Sequence, residues 1–443
     1  MFISNKYMKQ TSFILLHFGK VIYNLDSMIY NYGIGIPQCS ENFCAADIFS
    51  KEVFPIQQQI HNFDEVVNRR GTDSKKYSDI YFSADVIPMW IADTDFKSPQ
   101  PVVNALTHRA QHGVYGYTTE SGRLKRAAKL WVGSRYKLDI TEEQAEFCQG
   151  VIPGIISAVR ALSHPGDKII LNTPCYPPFS QLVENNGRRI LKNELLLQDG
   201  AYCFDFKDFE KKCSDPLTRI FILCNPHNPT CKVFTRDELA HIGEICMEHD
   251  VWIISDEIHG DIVFEGHCHV PIAGLSKYLA DRSVTFINPS KTFNTAGFRT
   301  AAFIAANPHV KALVHNAIVR GKAFGENIFG TLAFCVAYEE CAYYADGLVT
   351  YLQGSIDIIK EALRAIPGIE LIEPQGTYLF WLDCRGLGLP QAELIKRFVD
   401  KAKVGVHSGL NFGEGFDGFI RMNIACPKSV LIRAFEQIKS EFS

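Results

Sequence analysis

Arg219-Ile220-Phe221-Ile222-Leu223 and Val251-Trp252-Ile253-Ile254 are two short runs rich in β-branched and aromatic residues, as buried strands are. The stretch between them, residues 236–247, carries its apolar side chains at helical spacing, at Leu239, Ile242, Ile245 and Cys246. A third run of the same kind, Lys168-Ile169-Ile170-Leu171, precedes both. Strands that alternate with helices predict an α/β fold around a mostly parallel sheet, from about residue 63 onward.

The composition of the chain indicates a globular protein with a large core. Of its 443 residues, 47% are hydrophobic and 21% are charged, which is enough apolar material for two domains. The formal net charge is -4 and the basic residues are scattered, so we expect no nucleic-acid partner. The 14 cysteines lack regular spacing and an export signal, and they predict free thiols in a reducing, cytoplasmic compartment.

Residues 1–61 differ from the rest of the chain, and we expect them to form an N-terminal extension of unknown role. Lys6 and Lys9 precede a short apolar cluster, residues 13–16, which is interrupted by His17 and followed by no small-residue cleavage site. This pattern is not typical of a secretory signal. A membrane-spanning helix needs roughly 20 consecutive apolar residues. No apolar run in the chain is that long, so no membrane association is expected.

Polar residues follow each of the three predicted strands. Asn172-Thr173-Pro174 follows the first, Cys224-Asn225-Pro226 the second and Ser255-Asp256-Glu257 the third. Ligands of open α/β sheets bind beyond the carboxyl ends of the strands. We therefore expect the functional site at these three strand ends, and the segments near them are the ones to interpret chemically.

Four segments near the strand ends each have a functional and a structural interpretation. Residues 149–156 form a glycine-containing turn before a predicted helix, whose free N–H groups suit a phosphate, although such a turn is usually only a turn. The double Asn-Pro turn at residues 225–230 is most simply a tight loop. Asp256 is either a helix cap or the partner of a heteroaromatic nitrogen. Lys291 is either an exposed loop residue or an amine that joins an aldehyde.

Taken in order, these segments resemble the fold-type I, pyridoxal-phosphate-dependent class I/II aminotransferase superfamily, and within it the MalY/PatB-like branch of cystathionine β-lyases and related C–S lyases. The resemblance runs from about Phe63 to the C-terminus. It also rests on Met89-Trp90-Ile91-Ala92-Asp93-Thr94-Asp95-Phe96, on residues 112–118 and on residues 418–423. It implies a large domain around the mostly parallel sheet, a smaller α+β domain, and pyridoxal 5'-phosphate as the cofactor.

The resemblance also implies roles for individual residues. Lys291 would hold the cofactor covalently and, once freed by the substrate amine, remove the Cα proton. Asp256 would pair with the pyridinium nitrogen, Asn228 with the ring oxygen, and Tyr176 would stack on the ring. Arg421 would bind the substrate carboxylate with its planar guanidinium. The remaining implied contacts are His259 to the cofactor, Ala92 to the substrate, and Val151, Ile152, Ser290, Arg299 and Tyr117 to the phosphate.

The domain organisation and assembly follow from the same resemblance. Residues 62–104 and 341–443 would form the small domain, and residues 105–340 the large domain that binds the cofactor. Tyr117 resembles a tyrosine that is donated across a dimer interface, so a homodimer with shared active sites is implied. Arg421 has a simpler interpretation as a surface ion pair, but its neighbours Phe419, Ile420 and Met422 favour a buried strand.

Two features depart from this pattern or compete with it. The family's Asn-Pro-Thr-Gly reads Asn228-Pro229-Thr230-Cys231, which puts a side chain where glycine tolerates unusual backbone angles. The histidines at 259, 267 and 269 with Cys268 suggest a metal cluster, but they lack paired ligand spacing, and residues 267–269 lie in a predicted turn after a predicted strand, residues 262–264. We therefore expect an altered loop and no metal.

The reaction implied by the resemblance is α,β-elimination from an amino acid thioether such as L-cystathionine or a cysteine S-conjugate. The products would be a thiol, pyruvate and ammonia, within methionine and cysteine metabolism. Transamination shares the first steps of this chemistry, and the motifs do not separate the two reactions. A third interpretation is a regulatory protein that binds pyridoxal phosphate and a partner, although Lys291 and Arg421 would serve no purpose in a purely non-catalytic protein.

Overall fold

Strands and helices alternate along most of the chain, as the periodicity predicts. The computed structural model describes residues 61–119, 122–323 and 325–443, which belong to one unit, Gln59–Ser443. In chain order the strands are β1 (Ile87–Pro88), β2 (Ala145–Cys148), β3 (Lys168–Thr173), β4 (Arg189–Glu194), β5 (Leu196–Gln198), β6 (Ala201–Cys203), β7 (Thr218–Cys224), β8 (Trp252–Asp256), β9 (Ser283–Ile287), β10 (Ala301–Ile304), β11 (Glu370–Leu371), β12 (Leu379–Asp383), β13 (Val404–Gly405), β14 (His407–Ser408) and β15 (Phe419–Asn423).

The α-helices lie between these strands and after them. In chain order they are α1 (Gln100–Gln111), α2 (Arg123–Tyr136), α3 (Val151–Leu162), α4 (Pro177–Asn185), α5 (Phe206–Cys213), α6 (Arg236–Glu248), α7 (Lys277–Asp281), α8 (Ser290–Phe293), α9 (Pro308–Arg320), α10 (Ile328–Glu340), α11 (Ala342–Leu363), α12 (Gln391–Lys396) and α13 (Lys428–Phe442). None of the helices in the described ranges combines the length and the apolar character that crossing a membrane requires.

The central sheet has seven strands in the order β2-β10-β9-β8-β7-β3-β4. All of them are parallel except β10, which runs antiparallel to both of its neighbours. The predicted α/β fold with a mostly parallel sheet is therefore confirmed, together with the three predicted strands and the helix over residues 236–247. The predicted extension at residues 1–61 lies, apart from His61, outside the described residues.

Helices cover both faces of this sheet, which is why its strands are continuously apolar. Along β7, Ile220 and Ile222 pack in one apolar cluster with α3 and α9, while Phe221 and Leu223 pack in another with α5 and α6. Side chains of a strand point to alternate faces, so a sheet buried on both sides needs apolar residues at every position. Helix α6 begins with a capping box, in which the Thr235 side chain accepts from the Glu238 N–H and the Glu238 side chain accepts in return.

A second, antiparallel sheet has the order β11-β12-β15-β14, and the short strands β1 and β13 pair in parallel. The long helix α11 packs with α13 in the core beside this sheet. Leu352, Ile356, Ile359 and Leu363 are three or four positions apart, a spacing that predicts one packed face of a helix. All four lie in α11 and are buried. The register of β14 on β15 places His407 opposite Arg421.

The predicted strand at residues 262–264 is wrong. Only Val263 forms a single isolated bridge, to Gly376. The chain turns immediately before this stretch, and a backbone bond joins Ile262 N to His259 O within that turn. Phe264 N then donates a hydrogen bond to Gln375 O, and Thr377 N donates one to Ile262 O. The two segments of the chain therefore pair over only a few residues and do not form a strand ladder. Apolar β-branched residues predict burial there, but the turns leave no room for a strand.

Candidate active site

A cavity of about 860 Å³ lies at the carboxyl ends of the central strands. Strands β7, β8 and β9 end on this side, and helices α3, α4 and α8 begin there. Ten of the residues predicted for the site line the cavity: Ala92, Val151, Ile152, Tyr176, Asn228, Asp256, His259, Ser290, Lys291 and Arg299. The structure thus brings together residues that are up to 207 positions apart in the chain (92 to 299).

Lys291 is the second residue of α8, shortly after the end of β9, and it is partly buried. Its Nζ donates a hydrogen bond to the carbonyl oxygen of Ala92 at 2.8 Å. Burial lowers the pKa of Lys291 to about 8, with the nearby charges of Asp93 and Asp256 raising it and that of Arg421 lowering it. A substantial fraction of this amine is therefore neutral near physiological pH, as a nucleophile or a proton acceptor must be.

Asp256 is the last residue of β8 and is buried. Its Oδ1 accepts a hydrogen bond from the N–H of Ile258 at 3.3 Å within a turn, not at the start of a helix. Burial raises the pKa of Asp256 to about 7. A carboxyl group in this position becomes ionised most readily when a positive charge binds next to it, which is the property expected of a partner for a protonated ring nitrogen.

His259 and Tyr176 complete this side of the cavity. The ring of His259 is buried, and its Nδ1 finds no hydrogen-bond partner among the residues that the structure describes. Burial holds the pKa of His259 well below its ordinary value, so the ring is neutral. Tyr176 precedes α4, and burial raises the pKa of its hydroxyl. A buried histidine nitrogen without a partner is costly in a protein interior and fits a polar ligand in this cavity.

Arg421 lies in the middle of β15 and is fully buried. Its Nη1 donates to Asn228 Oδ1 at 2.9 Å, and its Nη2 donates to the Trp90 carbonyl at 2.9 Å and contacts His407 Nδ1 at 2.8 Å. Burial lowers the pKa of Arg421 to about 10. Within the described ranges none of these partners carries a negative charge, and Nε has no partner at all. The surface ion pair is excluded as an interpretation of Arg421, because the side chain is 2% exposed.

The other end of the cavity has the features of an anion site. Helix α3 begins at Val151, and Gly150 before it has a φ of 98°, which favours glycine. The first N–H groups of a helix have no partner within the helix and carry partial positive charge. Ser290 and Arg299 line the same cavity. A phosphate would therefore meet N–H groups, a hydroxyl and a guanidinium at this end.

Two predicted site residues are not among those that line the cavity: Arg421, which contacts the lining residue Asn228, and Tyr117. Tyr117 lies between α1 and α2, and its side chain is fully exposed. Val114 and Tyr115 beside it are also exposed. This location is compatible with a residue that serves the active site of a second subunit, but it does not test that role.

Cys231 occupies the loop position where the family has glycine. Its φ is 61°, in the left-handed region, and its side chain is buried, with Sγ 3.1 Å from the carbonyl oxygen of Leu379. The loop therefore holds the cysteine side chain in the protein interior, at a left-handed φ. Of the histidines considered as metal ligands, His269 already contacts a side chain, the buried Glu257, at 3.0 Å. In the described ranges, the side chains that lie close enough together to hold a metal ion are three others, Glu210, Glu248 and His249.

Several residues at the site are missed by the sequence analysis. His407 contacts Arg421, and Arg69 and Lys76 hold the segment that carries Ala92 through Asp93 and Asp95. The two aspartates are part of a segment quoted for the resemblance, yet nothing in the sequence pairs them with basic residues about 20 positions earlier. The strand register that places His407 opposite Arg421 is likewise not predictable from the sequence.

The chain is similar to known proteins over most of its length. The family model for aminotransferase class I and II matches residues 85–438. Cystathionine beta-lyase PatB of Bacillus subtilis is 39% identical over 386 residues, which cover 86% of this chain and 100% of that protein. A pyridoxal-phosphate-bound structure from Clostridium difficile, described as an aminotransferase, has a TM-score of 0.84 and 36% identity, covering 86% of this chain and 100% of that chain.

A third similar protein is the C–S lyase of Staphylococcus hominis, also solved with pyridoxal phosphate bound. It has a TM-score of 0.79 and 31% identity, and the match covers 86% of this chain and 98% of that chain. The matches to these three proteins span nearly their whole lengths. The part of the present chain outside them is of the size of the N-terminal region that the structure leaves undescribed.

Proposed function

The chain belongs to the aminotransferase class I and II family, and from this premise we propose that it is a pyridoxal-phosphate-dependent C–S β-lyase. It cleaves L-cystathionine or related cysteine S-conjugates to a thiol, pyruvate and ammonia. The proposal is supported by the similar proteins named as cystathionine β-lyase and C–S lyase, and by the chemistry of the cavity.

The observation that carries the proposal is the buried guanidinium of Arg421 without a carboxylate partner in the described part of the chain. A charge buried without a counter-ion is strongly destabilising. The Nε of Arg421 is unpartnered, and Asn228, which it contacts, lines the cavity that holds Lys291. A substrate carboxylate would supply the missing charge and accept the free N–H. The site is therefore complete only when an amino acid or a similar anion is bound.

The residues of the cavity fit pyridoxal phosphate. The start of α3, Ser290 and Arg299 would hold the phosphate, Asp256 the ring nitrogen, and Asn228 and His259 the ring oxygen, which would use the free Nδ1 of His259. The aromatic ring of Tyr176 would cover one face of the cofactor. When bound, the cofactor supplies an aldehyde for amines and a ring that withdraws electrons from the substrate Cα.

Different residues of the chain bind the substrate and remove its proton in the elimination. Arg421 binds the carboxylate and orients the substrate, since its own position is set by three hydrogen bonds. Lys291 takes the proton from Cα, and its lowered pKa keeps the amine available as a base. The carbonyl of Ala92 accepts from Nζ and fixes the direction of that amine. The β-substituent then departs with the electrons of its C–S bond.

The proposal includes an assembly and a compartment. The enzyme acts as a homodimer in the cytoplasm, with the exposed Tyr117 reaching the phosphate of a neighbouring subunit. The exposed apolar neighbours Val114 and Tyr115 support this contact, since exposed apolar clusters are common at interfaces. Residues 62–104 with 341–443 form the small domain and residues 105–340 the large one, with the site between them.

A product assay tests the proposed reaction. The purified protein is mixed with pyridoxal phosphate and L-cystathionine, and pyruvate, ammonia and free thiol are followed with and without a keto-acid acceptor. Release of all three without the acceptor is the expected result. A product that appears only with the acceptor would identify a transaminase instead. A Lys291→Ala variant should lose turnover while a Lys277→Ala variant, altered at an exposed lysine, should keep it.

A further inference from the structure

Residues 89–96, called the bridging segment below, have no regular secondary structure although most of them are buried. The segment connects β1 to the loop before α1. One backbone hydrogen bond lies within it, from Asp93 N to Ile91 O at 2.9 Å. A segment without a helix or strand ladder has its shape determined by the groups that bind it from outside.

Carbonyl oxygens of the bridging segment accept hydrogen bonds from both ends of the active site. Arg421 donates to Trp90 O at 2.9 Å, and Lys291 donates to Ala92 O at 2.8 Å. Asn423 Nδ2 donates to the carbonyl oxygens on either side of Ala92, Ile91 O and Asp93 O, each at 2.6 Å. The backbone of this segment therefore contacts the substrate-binding arginine and the catalytic lysine at the same time.

An ion cluster holds the same segment from the opposite side. Arg69 donates two hydrogen bonds to the carboxylate of Asp93, at 3.1 and 2.9 Å, and one to Asp95 at 2.8 Å. It also donates to Thr94 O at 3.0 Å. Lys76 adds a contact to Asp95 at 3.0 Å and one to Asp93 O at 3.1 Å. The side chain of Lys76 is 1% exposed, that of Asp95 7% and that of Arg69 17%.

We propose that Arg69 is a positioning residue for the reaction: by binding Asp93, Asp95 and Thr94 O together, it places the carbonyls of Trp90 and Ala92 against Arg421 and Lys291. This inference rests on the proposed function, in which those two residues bind and deprotonate the substrate. Arg69 itself touches neither of them. It acts through the backbone of the bridging segment.

The chemistry of the cluster explains why arginine is suited to the task. Two carboxylates lie two residues apart on an irregular segment, and a planar guanidinium with several N–H donors can bind both while also binding a carbonyl between them. Without Arg69, Lys76 would be the ion-pair partner left within 4.0 Å of both Asp93 and Asp95 among the described residues. A partly buried and a buried carboxylate that share one ammonium repel each other, and the segment would shift to expose one of them further to water.

Arg70 provides a matched control for Arg69. It follows Arg69 in the chain, it also lies near the ring of Tyr77, and it also forms an ion pair, to the exposed Asp79 at 2.9 Å. Its other side-chain hydrogen bonds go to the carbonyls of Tyr77, Ser83 and Ala84, outside the bridging segment. Replacement of Arg70 by methionine therefore removes a similar ion pair without touching residues 89–96.

The test compares Arg69→Met, Arg69→Lys and Arg70→Met with the wild type by steady-state kinetics on L-cystathionine and by amide hydrogen exchange of residues 89–96 in the cofactor-free protein. Arg69→Met should lower kcat/KM at least tenfold, through both kcat and KM, and should speed exchange in the segment at least tenfold. Arg69→Lys should recover part of both losses. Arg70→Met should stay within twofold of the wild type in both measurements.

A folded Arg69→Met protein with wild-type kcat/KM and wild-type exchange would overturn the proposal. If that variant fails to fold, Arg69→Gln, which removes the charge of the guanidinium but keeps N–H donors, is held to the same criteria. A wild-type protein that does not cleave L-cystathionine would contradict the proposed function alone. In that case the exchange of residues 89–96 and the rate at which pyridoxal phosphate attaches to Lys291, followed by its visible absorbance, decide the role of Arg69.

Discussion

Arg421 Nη1 donates to Asn228 Oδ1 at 2.9 Å, so the residue that we propose for the substrate carboxylate and the residue that we propose for the cofactor ring share one hydrogen bond. The two side chains lie on separate elements, β15 and the loop after β7. Asn228 Oδ1 is occupied as an acceptor, which leaves the NH2 group of this cavity-lining residue as its donor. The hydrogen bond thus joins the proposed substrate site to the proposed cofactor site directly.

An Arg421→Lys variant should keep the positive charge but lose the planar fork. Lysine cannot reach Asn228, Trp90 O and His407 while also offering two N–H groups to a carboxylate. We expect KM for the amino acid to rise at least tenfold, which steady-state kinetics would show. Arg385→Lys is the matched control, since Arg385 pairs with Asp383 in the same sheet at an exposed position. Equal KM values for the two variants would argue against carboxylate binding by Arg421.

Replacing His407 should affect the substrate through Arg421. His407 Nδ1 contacts Arg421 Nη2 at 2.8 Å, and burial lowers the pKa of His407 to about 3, so the neutral ring accepts this hydrogen bond. We expect His407→Leu to raise KM several-fold with a smaller change in kcat, because the guanidinium loses one of its acceptors. His407→Asn offers an acceptor at a similar position and should restore KM. No difference between the two variants would mean that the hydrogen bond is unimportant.

The stability of the cofactor-free protein should depend on Asp256 with a defined sign. Burial raises the folded-state pKa of Asp256 from 3.8 to about 7. Between these two values the folded state binds more protons than the unfolded state, so its free energy of unfolding falls as pH rises, by about 1.4 kcal/mol for each pH unit at most. Asp256→Asn lacks this titration. Denaturant unfolding from pH 4 to pH 7 should show the wild type losing stability relative to the variant, and parallel curves would contradict the assignment.

Cys231 allows a prediction in which glycine is more stabilising than alanine. The residue has a φ of 61°, where glycine is unstrained and alanine is not. Cys231→Gly and Cys231→Ala both remove the buried thiol, but only the glycine variant relieves the backbone. We expect the glycine variant to be more stable by about 1 kcal/mol, measured by chemical denaturation. Greater stability of the alanine variant would mean that filling the cavity outweighs the backbone preference.

The strands could be predicted from the sequence because each depends on local pattern, whereas the cavity residues are predicted from the resemblance of their motifs to a known family. Continuous apolar runs such as residues 219–223 indicate strands buried on both sides; Asp256 ends one such strand, and Lys291 lies four residues after another. The failed strand at residues 262–264 shows the limit of this reasoning, since one apolar β-branched triplet looks the same in a strand and between two turns.

Contacts between distant segments could not be predicted in this way. The pairing of Arg69 with Asp93 joins two parts of an irregular region, where no periodicity fixes which side chains meet. The contact of His407 with Arg421 depends on the register of β14 on β15, which one residue of slip would abolish. Both contacts concern the exact placement of site residues. The motifs by which most of the site residues were identified are, in contrast, short contiguous stretches of the sequence.

The positions of Arg421 and Lys291 also give the site a handedness. Arg421 is held by three contacts and would anchor the carboxylate, the cofactor would take the amine, and Lys291, which donates to Ala92 O, would take the hydrogen. With three of the four substituents of Cα assigned to fixed places, the fourth has a single direction left. One enantiomer of the amino acid then presents its hydrogen to Lys291, and its mirror image presents the side chain instead, so the enzyme should discriminate enantiomers at the proton-transfer step itself.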